Sequence, residues 1–272
     1  MARGVNDGIC QLIGAGRVSA TSCMVVGDAS HTIRSQLPYF VGRVDLGLHL
    51  TLTDRQPLGS LDICQADGLL PRPLTLLRRC VTGAISPEHL RAEIVRQLDR
   101  FESMVGQPPD FVDGHHHVHQ FPVVRDKLLE LMRERYTSRR PYLRVSGDRV
   151  FRIVRRGVGV ARALAIASLG FGTSKLATRH GIRTNHGFCG VYDFDDPRPY
   201  GDLVRQFFRT LGPRSIFMCH PGEYDAELEA VDQLVHQREV ELAYLASDEF
   251  AELLVKRNLV ISRFDTESAP PG

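Results

Sequence analysis

Short apolar, β-branched runs recur along this chain, and most are followed by a polar stretch and then by residues at helical spacing. Residues 20–26 (Ala20, Thr21, Ser22, Cys23, Met24, Val25, Val26) read as a strand buried on both faces. Residues 44–52 alternate: Leu46, Leu48, Leu50 and Leu52 line one face, Gly47, His49 and Thr51 the other. Ser86 caps a predicted helix with Pro87 at its first position. Leu90, Ile94, Leu98, Phe101 and Val105 then repeat near every third or fourth residue until Gly106 and Pro108 stop it. Further strands are predicted at 110–115, 142–145, 215–220 and 258–261. Helices are predicted after Pro122, over 203–211 with a stop at Gly212 and Pro213, and over 250–256 behind a Ser247 cap. Strands alternating with helices predict an α/β fold with a mostly parallel, (β/α) barrel-like sheet. Nothing divides the chain internally, so residues 1–264 read as one domain and 265–272 as a polar tail.

Composition narrows the class. The 272 residues are 43% apolar and 24% charged, enough to bury a sizeable core, which excludes collagen-like and largely disordered chains. A balance of 34 basic against 32 acidic residues gives no warrant for a nucleic-acid binder. Ten arginines fall between Arg133 and Arg162 and read as solvated faces flanking apolar helices. The most apolar stretch, 158–171, is too short for a membrane span and contains Arg162; residues 1–7 lack the apolar run of an export signal. The six cysteines form no Cys-x-x-Cys pair, so a thiolate zinc knuckle is excluded. These features predict a soluble cytoplasmic protein with reduced thiols.

The eleven histidines carry the chemical information. His115, His116, His117 and His119 follow directly on a predicted strand, in Asp113-Gly114-His115-His116-His117-Val118-His119. A continued strand would place His115, His117 and His119 on one side and His116 on the other. His49 sits on the polar face of its strand, and His220 ends another apolar run in Met218-Cys219-His220-Pro221-Gly222. In parallel α/β folds the functional residues gather at the carboxyl ends of the strands, so these three motifs point to one site. Imidazole suits zinc and other divalent ions, and two histidines with a carboxylate make a hydrolytic centre. Asp45, Asp113 and Glu223 lie near the motifs in sequence, and Asp113 also suits an outer-sphere role orienting a ring.

Together these motifs resemble the YdjC/ChbG-type carbohydrate deacetylase family. The resemblance runs over nearly the whole chain: Gly4-Val5-Asn6-Asp7-Gly8-Ile9 with Val18-Ser19-Ala20-Thr21-Ser22, then Gly47-Leu48-His49-Leu50, the histidine cluster with Phe121-Pro122, and Met218-Cys219-His220-Pro221-Gly222. It implies a barrel-like fold, a divalent ion (magnesium or zinc) held by His49 and His115, and His220 lining the pocket and acting on the leaving group. It also implies an N-acetylated carbohydrate substrate, no nucleic-acid or membrane partner, and allows a homodimer. Such chains open with an apolar strand ending in Asp-Asp-Phe-Gly, whose carboxylates supply a third ligand and the base. Here Met1-Ala2-Arg3 already lies in the segment after that motif, and Asp7 falls in the following helix. The expectation is therefore a sheet without its first strand and little activity from the chain as it stands.

Two alternatives stay open. One is a non-catalytic sugar- or metal-binding relic of the fold. The other is an amidohydrolase- or phosphoesterase-type hydrolase using His115 and His117 as a metal pair, in which His117 matters and His49 does not. Arg144, on the 142–145 strand, is taken as a substrate contact, with an acidic catalytic partner or a surface ion pair as its other roles. Phe188 is taken as a sugar-stacking residue, and core packing is the competing role for it and for Tyr192.

Overall fold

The computed structural model describes residues 2–27, 36–231 and 234–265. Helix α1 (Arg3–Gly14) leads into β1 (Ala20–Cys23), a short α2 (Leu37–Phe40) and β2 (Asp45–Leu50). Then come α3 (Pro73–Thr82), α4 (Pro87–Val105), β3 (Phe111–Gly114), α5 (Val124–Arg135) and β4 (Tyr142–Leu143). Three short helices follow, α6 (Val150–Arg156), α7 (Val160–Leu169) and α8 (Thr173–Arg179), before β5 (Gly187–Cys189). The chain continues through α9 (Tyr200–Phe207), β6 (Ser215–Phe217), α10 (Ala226–Val231), α11 (Val235–Ala246) and α12 (Asp248–Lys256).

All strand pairings are parallel, in the order β1-β2-β3-β4 and β5-β6. A parallel bridge between Leu143 and Thr184 joins the two groups, and Asn185 extends the join by accepting from the Val145 amide and donating to the Val145 carbonyl. The result is an α/β fold whose strands follow one another around an arc in chain order. Among the described residues, β1 and β6 each keep one edge with no strand beside it.

The leucine face of β2 is fully buried with the inward faces of α3, α4 and α5. Helix α4 begins and ends where the sequence predicts: Ser86 accepts from the His89 amide, and Gly106 closes the helix in the left-handed conformation at φ 80°. A second cluster joins α9, α11 and α12 through Tyr200, Phe207, Leu242 and Phe250. Gln97 of α4 donates to the Thr51 carbonyl and accepts from its amide, fixing the chain as it leaves β2. Glu93, also on α4 and wholly buried, accepts from Gln97 and from the Leu58 amide.

Two expectations from sequence are corrected. Residues 258–261 form no strand; Asn258 is left-handed and the Asn258 and Leu259 amides donate back to the Val255 and Leu254 carbonyls, after which the chain leads to Arg263, which pairs with Asp45, and Phe264, which stacks on Tyr142 at 3.9 Å between centroids. Side-chain anchoring at the foot of the sheet takes the place of ladder hydrogen bonds. Residue 265, placed in the tail by sequence, forms an ion pair with Arg183; 266–272 lie outside the described residues. The arginine-rich stretch is largely ion-paired, Arg135 with Glu102 and Asp99 and Arg139 with Asp110. Arg144 and Arg156, however, are buried. No helix among the described residues is long and apolar enough to cross a membrane.

Candidate active site

His49 and Asp113 are direct cross-strand partners of β2 and β3, which puts their side chains at one height on the same face of the sheet. His49 Nδ1 lies 2.7 Å from Asp113 Oδ1 and 3.3 Å from Ser22 Oγ. Burial alone would raise the Asp113 pKa, but Arg144 and His49 outweigh it and hold the carboxyl well below the usual carboxylate range. An ionised carboxylate only accepts, so Nδ1 of His49 carries the proton of this hydrogen bond. Gly47, two residues earlier, leaves room for the Phe111 ring: a Cβ there would fall 2.5 Å from it.

The histidine cluster does not continue β3. The strand ends at Gly114, and residues His115–Gln120 wind into a tight turn in which His116 (φ 50°) and His117 (φ 59°) are both left-handed. The alternating placement expected from a strand is therefore replaced by a fan. Two successive non-glycine residues in this region cost roughly 1–3 kcal/mol each, so the surroundings must impose the shape. Each ring has its own environment. His116, half-exposed, lies 3.0 Å from Thr53 Oγ1 and 3.5 Å from Asp54 Oδ2. His117 Nδ1 lies 2.8 Å from Ser146 Oγ. His119, fully buried, donates from Nε2 to the Arg144 carbonyl at 2.7 Å. Gly114 must be small here, because a Cβ would come within 2.8 Å of His119 Nδ1.

His115 stands beside His49 with ring centroids 5.7 Å apart, and tilts against His116 at 3.8 Å. Burial, reinforced by repulsion from His49, His116, Arg55 and His220, pushes its pKa down to about 2. It is a neutral imidazole at any physiological pH. His220 approaches the same region from the end of β6, packing against Phe194 at 5.6 Å. The three sequence motifs thus converge.

The candidate carboxylates separate. Asp113 is at the site but is engaged by His49 and Arg144. Asp45 lies at the opposite end of β2, bound to Arg263 and the Phe264 amide. Glu223 is exposed on the loop after β6, where its amide donates to the Gly4 carbonyl. Arg144 is buried; its Nη1 lies 3.4 Å from Asp113 Oδ2, and its guanidinium covers the Phe188 ring at 5.5 Å. Phe188 is itself buried, with His117 edge-on at 6.0 Å. Tyr192 packs in the second core cluster.

Sequence reading missed Glu241. It is fully buried on α11, accepts from the Tyr192 hydroxyl and from the His220 amide at 2.5 Å each, and lies 3.9 Å from His220 Nδ1. Burial opposes its ionisation, but hydrogen bonds and charge from His220 and the hydrogen bond from Tyr192 lower its pKa on balance. An acid on the apolar face of α11, next to Leu242 and one turn before Leu245, was the available clue. Thr53, Asp54 and Ser146, the partners of His116 and His117, had none.

The profile of the YdjC-like protein family matches residues 1–256. The chain belongs to the YdjC-like family. Among curated relatives of this YdjC-like chain, a chitooligosaccharide deacetylase of Serratia marcescens is 26% identical over 274 residues, covering 97% of this chain and 94% of that protein. A chitooligosaccharide deacetylase of Proteus mirabilis is 26% identical over 273 residues, with 97% and 93% covered. Among solved structures, a protein of Enterococcus faecalis V583 described as a proposed cellobiose-phosphate cleavage protein superposes with a TM-score of 0.69 at 19% identity, covering 97% of this chain and 93% of that one. That likeness supports the α/β fold.

Proposed function

We propose that this YdjC-like protein is built to remove acetyl groups from N-acetylated sugars or oligosaccharides. The observation that carries the reading is the meeting of His49 and His115, 5.7 Å apart, at the carboxyl ends of adjacent strands in a chain similar over its whole length to chitooligosaccharide deacetylases. The donor chemistry suits a divalent cation such as magnesium or zinc: His115 is neutral, and His49 has its proton held on Nδ1 by Asp113, the outer-sphere arrangement of metal-bound histidines. His49 and His115 would hold it. When bound, such an ion polarises an amide carbonyl and acidifies water. His220, whose amide donates to Glu241, is the proposed donor of a proton to the departing amine. Phe188 borders this region and is the proposed sugar-side residue, while the Arg144 guanidinium lies over its ring and is taken up by protein contacts. The protein is proposed to act in the cytoplasm, with a homodimer as the assembly to test.

A binding-only reading is favoured by one observation: among the described residues, no group of three His, Cys, Asp or Glu side chains forms a complete metal site. A positioned base contributes about 10²- to 10⁴-fold, and Asp113, the carboxylate at this site, is already engaged by His49 and Arg144. Acetate release from N-acetylglucosamine oligomers, with magnesium or zinc added, separates the readings. It is measured on residues 1–272 and on the same chain preceded by a strand ending in Asp-Asp-Phe-Gly. Turnover in the extended chain supports the hydrolase; oligomer binding without acetate from either chain supports the relic.

A further inference from the structure

One residue braces the histidine turn at successive points. The Arg144 amide donates to the Val112 carbonyl at 3.1 Å, and the Arg144 carbonyl accepts from His119 Nε2 at 2.7 Å. Between these backbone ties, Nη1 faces Asp113 Oδ2 at 3.4 Å, while Nη2 donates to the Gly114 carbonyl at 3.2 Å and lies 3.4 Å from His117 Nδ1. Nη1 also reaches Met218 Sδ at 3.3 Å, two residues before His220, and the guanidinium plane rests on Phe188 of β5. The side chain is 6% exposed, and Nε is buried without a hydrogen-bond partner.

This geometry matches neither a surface ion pair nor a free substrate arm. Most of the N–H groups that a sugar hydroxyl would need already point at protein atoms. Burying a guanidinium is unfavourable unless its whole fork is used, and a fork that spans a carboxylate, a peptide carbonyl and a sulfur holds several strand ends in register. Asp113 orients the His49 ring, and Gly114 immediately precedes His115. The turn between Gly114 and His119 is the strained one, and Arg144 holds both of its ends.

We infer that Arg144 is a positioning residue that fixes the His49 and His115 rings as a pair, gripping the carboxylate that orients one and the peptide carbonyl beside the other. The inference rests on the hydrolase reading only for what the paired rings do; the pairing itself is a separate property. Lysine would keep the charge but, as a single compact donor, cannot reach Asp113, Gly114 and Met218 together.

The test compares full-length wild type with Arg144→Lys, Arg144→Met and Arg144→Ala, using circular dichroism and thermal melting to select folded variants. The first readout is the ring ¹H–¹⁵N NMR spectrum, which reports whether His49 keeps its proton on Nδ1; the second is zinc affinity by calorimetry. Expected are loss of the protected His49 Nδ1–H resonance in folded Arg144→Lys and Arg144→Met, and zinc binding weakened about 10- to 100-fold. Partial recovery of both is expected in Arg144→Ala on adding methylguanidinium. In the extended chain, kcat should fall with KM little changed. An unaltered His49 resonance with KM raised instead would make Arg144 a substrate contact and overturn the proposal. Wild-type behaviour of Arg144→Lys in both readouts would reduce the residue to a buried charge and overturn it equally. Should no variant or wild type release acetate, the hydrolase reading fails, while the resonance and zinc measurements still decide the positioning role.

Discussion

Strand β2 carries a buried acid at its foot and faces another near its head, and the two are used in opposite ways. At the foot, Asp45 accepts from Arg263 Nε and from the Phe264 amide, both at 2.8 Å, with the Tyr142 hydroxyl at 3.5 Å. Every partner is aromatic, backbone or cationic, and the packing around it is closed by the Phe111, Tyr142 and Phe264 rings. At the head, Asp113 meets an imidazole and a guanidinium beside two left-handed residues, with Nε of Arg144 and Nδ1 of His119 left without hydrogen-bond partners. A saturated acid holds chain segments together. An acid whose partners keep unused nitrogens holds chemistry in place, and the local strain shows that something other than stability shaped it.

The contrast can be broken most strongly at the head. His49→Ala should lower acetate release by the extended chain at least about 100-fold, with the urea midpoint nearly unchanged; a parallel loss of stability would mean that the head is structural too. At the foot the pattern should invert. Asp45→Ala removes the partner of a cation that can still turn to solvent, Arg263 being 31% exposed, and should destabilise by about 2–3 kcal/mol in urea unfolding while kcat stays within about twofold.

A pH titration sharpens the comparison further. Burial and the nearby Arg144 push the His119 pKa down to about 3, against an ordinary value of 6.5. A depressed pKa means that the unfolded chain binds the proton first. The stability His119 contributes is therefore complete above about pH 6.5 and lost as pH falls toward 3. His119 should account for about 1–2 kcal/mol of the stability lost between pH 7 and 5, and His119→Gln, which keeps a donor for the Arg144 carbonyl, should remove that share of the slope in urea titrations while leaving the shares of His115 and His117, whose pKa values burial also lowers. The smallest effect is expected from Phe264→Leu. It removes the stack on Tyr142 and should cost about 0.5–1.5 kcal/mol without altering zinc binding.

Elements set by local rules were legible in the sequence. Helix α4 carries its own start in Ser86-Pro87 and its own stop in Gly106, and β2 its own alternation of leucine with smaller or polar residues. The convergence of His49, His115 and His220 was legible too, because parallel strands bring their carboxyl ends to one side whatever the intervening helices do. The turn after Gly114 was not. Its left-handed residues are histidines, which give no local warning of the kind glycine gives, and they are held by Arg144 and Ser146 after β4 and by Thr53 after β2. Residues 258–261 misled for the mirror reason: they have strand-like composition, but the chain first turns back onto the end of α12 through a left-handed Asn258, and Arg263 and Phe264 then anchor the segment at the foot of the sheet. Glu241 was hidden because its role depends on His220, which only the fold brings near.

Asp45 and Arg263 are separated by 218 positions along the chain. During synthesis on the ribosome, β2 is therefore complete long before the residue that neutralises its buried acid has been made. Until then that acid is without its cationic partner, and an unpaired carboxylate opposes its own dehydration. The last of the described helices thus leads, seven residues on, to the counter-ion of an acid on one of the earliest strands. The contacts that close the foot of the sheet can therefore be completed only once the far end of the chain has been made.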